Sequence, residues 1–197
     1  VGGGGAKTEG VTAIGYNYRH VPAVERVREL VAGGQLGRIT NVRAVFFSGY
    51  AAEPKAALSW RFIREHAGSG ALGDLLSHVV DLVQYIVGRI GDVNAVTSTV
   101  YTERPILPMG SGTHFAVIED GEMGTVENDD CAAVLARFAA TSGAAGAVGT
   151  LEASRSFVGP QCGLGFEIYG TAGSATWNFE QMNELQVCLG RGGPHAG

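Results

Sequence analysis

The chain has 197 residues, of which 45% are hydrophobic, 17% charged and 31 glycine, a composition that is globular and turn-rich, and that excludes disorder and a triple-helical repeat. Fourteen basic side chains against nineteen acidic ones leave a net charge of −5, which excludes an electrostatic grip on nucleic acid or anionic lipid and points to small or neutral partners. No run of about 18 apolar residues exists and the N-terminus lacks a signal peptide's basic-then-apolar order, so the expected address is cytoplasmic, with no membrane span. Cys131, Cys162 and Cys188, odd in number and in no C-x-x-C spacing, fit reduced, mostly buried thiols better than bridges or a zinc site.

Residues 1–10 are a glycine-rich stub with no strand before it, so neither Gly2 to Gly5 nor Ala6-Lys7-Thr8 reads as a phosphate-binding loop. Residues 11–16 read as a short buried strand, ending in the polar cluster Asn17, Tyr18, Arg19 and His20. Pro22 then suits a first helical turn, Val24, Val27 and Val31 recur at helical spacing, and Gly33-Gly34 is the stop signal. Residues 38–48 carry β-branched and aromatic side chains and predict a strand. After Gly68-Ser69-Gly70 comes the most strongly patterned helix, predicted over 72–87, and then a strand over 92–101. Residues 102–124, punctuated by glycine and proline, predict a long excursion. From Asp130 onward only strands are expected, over 131–138, 147–156, 165–169, 175–179 and 185–189, with Gly170-Thr171-Ala172-Gly173 as a hairpin connection. Helices early and strands late predict an α+β fold, an open, mostly antiparallel sheet with helices on one face.

The helix over 72–87 holds the sharpest constellation. At about 100° per residue, Asp74, His78, Asp81 and Tyr85 fall within about 60° of one another on an otherwise apolar helix. A buried polar stripe needs a reason. Asp74 and His78 stand one turn apart, so the carboxylate is expected to orient the imidazole and favour its protonated form, as suits a general base. The competing readings are a core histidine with Asp74 capping the helix, and a metal site of Asp74, His78 and Asp81, which lacks a second histidine nearby. A serine hydrolase has no G-x-S-x-G to stand on.

The order and spacing of several short stretches resemble a known family. Gly15-Tyr16-Asn17-Tyr18-Arg19 with Pro22-Ala23-Val24, Gly34-Gln35-Leu36-Gly37-Arg38-Ile39, Trp60-Arg61, and Gly70-Ala71-Leu72-Gly73-Asp74 followed by His78 and Asp81-Leu82 are similar to the Gfo/Idh/MocA oxidoreductases. Asn128-Asp129-Asp130, Glu152-Ala153-Ser154-Arg155, residues 167–174 and Asn183-Glu184-Leu185 extend the likeness over nearly the whole chain.

The resemblance implies an NAD- or NADP-dependent oxidoreductase acting on a sugar, inositol or related polyol. His78 would then be the general base that deprotonates the substrate hydroxyl, and Asp74 would orient it or bind a neighbouring hydroxyl. Asn17, Tyr18 and Arg19 would lie on the substrate side, while Trp60 and Arg61 would approach the cofactor; no metal is implied. Family members carry a glycine-rich dinucleotide loop and a Glu-Lys-Pro lysine, and neither is present here; Glu53-Pro54-Lys55 has the wrong order and place. Residues 1–16 are therefore expected to be the end of a dinucleotide-binding domain. Residues 17–197 are expected to be a substrate and oligomerisation domain, truncated at its C-terminus and inactive alone, that pairs through its sheet as a homodimer or homotetramer. The alternative is a non-catalytic sugar-sensing or self-association module of the same fold.

Overall fold

The computed structural model describes residues 11, 13–107, 116–140, 142–159 and 161–190. A 3-10 turn, Asn17–His20, leads into α1 (Pro22–Ala32), where Pro22 opens the helix and the buried Val24, Val27 and Leu30 share one face. Then come β1 (Ile39–Phe47), a second 3-10 turn (Trp60–Phe62), and the helices α2 (Arg64–Ala67), α3 (Ala71–Asp74) and α4 (Leu76–Val87). The strands β2 (Ile90–Ser98), β3 (Glu103–Pro105) and β4 (Met123–Thr125) follow. The remainder is β5 (Cys131–Phe138), β6 (Val148–Ser154), β7 (Gly163–Gly170), β8 (Gly173–Asn178) and β9 (Leu185–Leu189).

Seven strands form one sheet in the order β2-β5-β6-β1-β7-β8-β9, antiparallel except for the β1/β6 pair. The late strands do not form a plain meander, because β1 is inserted between β6 and β7. Its alternation explains the central place: Val42, Ala44 and Phe46 are buried while Asn41 and Arg43 are exposed. α1 and α4 pack together over this face, so Val24, Val27, Val79, Leu82 and Val83 meet Leu151, Leu164 and Ile168 in one core. Among the described residues no helix covers the other face of the sheet, which displays Val96, Leu135 and Val148.

Several expectations are revised. Of the strand expected over 11–16, residues 13–16 form none: among the described residues no strand pairs with them, and Ile14 is exposed. The stub at 1–10 lies outside the described residues, as do 108–115 of the excursion. The rest of the excursion holds the β3/β4 hairpin, locked by the fully buried Arg104, whose guanidinium donates to the carbonyls of Ala51 and Glu53 and stacks over Phe62. The three cysteines are unbridged, and Cys188 is exposed on β9. Among the described residues no single helix is long and apolar enough to cross a membrane.

The helix expected over 72–87 is broken at Leu75, and the segments on either side meet at 45°. Leu75 turns into the core, the bond from Val79 N–H to its carbonyl stretches to 3.5 Å, and His78 N–H donates to the same oxygen at 3.1 Å. Periodicity alone favours one continuous helix, but contacts from a distant loop pull its first turn aside.

Candidate active site

The break separates the two residues that helical spacing was expected to join. Asp74 ends α3, and its Oδ2 accepts a hydrogen bond from the Tyr50 hydroxyl at 2.8 Å and lies 3.8 Å from Nη1 of Arg61. No hydrogen bond joins it to His78. The imidazole stands instead in an aromatic enclosure, edge-on to Tyr16 and Tyr18 at 5.3 Å each and to Phe46 at 6.0 Å. Its Nδ1 is buried without a hydrogen-bond partner. Burial lowers the His78 pKa below 6.5, and the attraction of Asp74 and Asp81 offsets this only in part. The expectation of a protonated imidazole is thus reversed: desolvation by three rings outweighs two carboxylates that do not touch it.

The turn before α1 supplies the next side chains. Tyr18 packs edge-on against Phe179 at 5.4 Å as well as His78, and burial raises its hydroxyl pKa, with Cys162 adding to the shift. Arg19 forms a bidentate pair with Asp81, its Nε bonded to Oδ2 at 2.8 Å, and its guanidinium lies 5.1 Å from the centre of the Tyr85 ring. The hydrogen bond to Asp81 raises the Arg19 pKa further. Asp81 and Tyr85 are therefore occupied by Arg19, and Tyr85 by Arg28 as well. Asn17 is exposed at the start of the turn. The metal reading gains nothing here: among the described residues no three potential ligands cluster.

On the other side of Asp74 opens a cleft of about 570 Å³, lined by Trp60, Arg61, His66, Ser69, Gly70, Asp74 and Arg155. Trp60 is 53% exposed, and the Arg61 guanidinium lies over its ring at 4.5 Å. The structure thus brings Trp60, Arg61 and Asp74 to one cleft, and Tyr18 to His78.

Three consecutive residues before β5 tie the cleft together. Asn128 Nδ2 donates to the carbonyl of Arg61 at 2.9 Å, and Arg155 Nη1 donates to the same oxygen at 3.0 Å. Asp129 receives the N–H groups of Gly70 and Leu72 on its two carboxylate oxygens and that of Ala71 on its carbonyl. Asp130, fully buried, accepts from Nε of the equally buried Arg155 at 2.7 Å and from the N–H groups of Val100 and Tyr101. Both walls are therefore hung on one short loop.

Sequence reasoning assigned no role to Tyr50 or to residues 128–130. Tyr50 follows a strand with no local pattern to mark it. The run Asn128-Asp129-Asp130, three polar residues directly before an alternating strand, was the available signal.

The model of the GFO/IDH/MocA C-terminal domain matches residues 24–176. Levoglucosan dehydrogenase of Pseudarthrobacter phenanthrenivorans is 41% identical over 181 residues, which cover 91% of this chain and 45% of that relative. The structure of levoglucosan dehydrogenase in complex with NADH and L-sorbose superposes with a TM-score of 0.80 at 39% identity, covering 91% of this chain and 44% of that one. An oxidoreductase domain protein from Kribbella flavida gives a TM-score of 0.80 at 40% identity over 92% of this chain and 45% of its own. The chain spans about half the length of the relatives it matches. It belongs to the GFO/IDH/MocA family and has the fold of that family's C-terminal domain.

Proposed function

We propose that this chain is the substrate-side part of an NAD- or NADP-dependent dehydrogenase acting on a sugar or related polyol, with residues 1–16 belonging to the end of a cofactor-binding domain. The observation that carries the reading is the setting of His78: walled by aromatic rings whose burial of it lowers its pKa, and four residues beyond a carboxylate that makes no hydrogen bond to it. Likeness to a dehydrogenase solved with NADH and L-sorbose supports the same chemistry.

The exposed face of Trp60, beside a guanidinium at the mouth of an open cleft, fits a flat heterocycle joined to phosphates. Trp60 and Arg61 would hold that group. A bound nicotinamide supplies the hydride acceptor or donor. This chain's own residues handle the proton and the hydroxyls. With Nδ1 buried and unpartnered, Nε2 is the nitrogen through which His78 takes the substrate's hydroxyl proton. The same burial keeps the resulting imidazolium weakly held, so the proton is released readily in turn. Asp74 accepts a hydrogen bond from a neighbouring hydroxyl, while the half-buried Tyr18, backed by the buried Phe46, offers an apolar face to the sugar's C–H surface, with Asn17 and Arg19 at the rim.

In the full gene product, His78→Ala should lower hydride transfer by about 10²–10⁴-fold with cofactor binding unchanged. Unchanged turnover contradicts the assignment.

A second reading, self-association through the sheet, is favoured by the apolar side chains on the face away from the helices, where Val96 is 72%, Leu135 59% and Val148 45% exposed. A homodimer or homotetramer covers it. Leu135→Asp should shift the sedimenting species toward monomer; a wild-type protein that is already monomeric removes this reading.

A further inference from the structure

Tyr50 lies outside every sequence motif, yet its hydroxyl is the one side-chain donor hydrogen-bonded to Asp74 among the described residues. Its ring is half-buried, packed against the main core and against the smaller cluster of Ala51, Phe62 and Val126. Burial raises the phenol's pKa, with Asp74 adding to it and the nearby Arg155 opposing it only in part, so the hydroxyl keeps its proton and stays a donor. Arg61 reaches Asp74 only at 3.8 Å, beyond hydrogen-bond range, and can turn away along its long side chain. The backbone beneath Asp74 is fixed independently by Asp129 at residues 70–72.

We propose that Tyr50 is a positioning residue: by donating its hydroxyl to Oδ2 of Asp74, it fixes the carboxylate's rotamer and leaves Oδ1 free for a substrate hydroxyl. The proposal rests on the dehydrogenase reading above. A carboxylate pinned through one oxygen presents the other in a single direction, so a sugar hydroxyl meets a pre-set acceptor instead of ordering one. The Tyr50 ring lies in the core while its hydroxyl alone reaches Asp74, so Tyr50→Phe deletes the contact and keeps the packing.

The test is a double-mutant cycle in the full gene product. Tyr50→Phe should lower kcat/KM for the sugar by about ten- to a hundredfold, the scale of a hydrogen bond to a charged group. In an Asp74→Ala background the same change should matter less than about threefold. A merely structural tyrosine would depress both backgrounds alike, and that result overturns the proposal, as does an unaffected single variant. Independently of turnover, the Tyr50 hydroxyl proton should give a slowly exchanging NMR resonance that disappears in Asp74→Ala. Its absence from the wild type removes the contact itself. If the resonance is present but the wild type oxidises no sugar or polyol, the dehydrogenase reading fails and the positioning role falls with it.

Discussion

Asp129 grips Gly70 from two directions: its Oδ1 accepts the Gly70 N–H at 2.9 Å, and its carbonyl oxygen fills the space where a Cβ on Gly70 would sit. The carboxylate thereby caps α3 from a residue 59 positions away. No local side chain does so, because the residue preceding α3 is a glycine.

Asp129→Ala should destabilise the protein by about 1–2 kcal/mol, the range for losing an N-cap. Gly70→Ala should be worse, because the added methyl meets backbone and the loop must shift. Urea unfolding of the two variants checks the order; a Gly70→Ala protein as stable as wild type contradicts the close approach.

Asp130 and Arg155 form a pair with side chains 0% and 1% exposed. Asp130→Ala strands a buried guanidinium and also frees the Val100 and Tyr101 N–H groups. A loss of about 3–5 kcal/mol is expected from equilibrium unfolding. A loss below about 1 kcal/mol shows that Arg155 finds solvent or another partner.

His78 gives stability a pH dependence of defined sign. Its folded pKa lies below the ordinary 6.5, so as pH falls through 6.5 the unfolded chain takes up the proton first. Stability should therefore drop from about pH 7 downward until the folded value is passed. The fall in Tm over this window should be shallower in His78→Gln than in wild type. Identical slopes mean the imidazole is not desolvated.

The parts of the fold that local period determines were legible. α1 begins at its proline, and β5 and β9 occupy the ranges that alternation assigns them. What escaped is set by contacts distant in sequence. Helical periodicity places Asp74 beside His78, but the hydroxyl of Tyr50, 24 residues before Asp74, and the clamp of Asp129 on Gly70, 59 positions apart, draw the first turn off axis. In the same way Arg19 takes Asp81 from across 62 residues, which removes two of the four stripe residues from the site. Patterns identified the polar residues; only packing decided which partner each one has.

In the proposed reaction hydride leaves a carbon beside His78. The most direct measurement offers the full gene product, with NAD or NADP, a sugar deuterated at its oxidisable carbons, and follows the label by mass spectrometry. Deuterium on the reduced nicotinamide is expected, at a slower rate than with unlabelled sugar, with loss of both in His78→Ala. Transfer undiminished in that variant, or no reduction with any sugar or polyol, contradicts it.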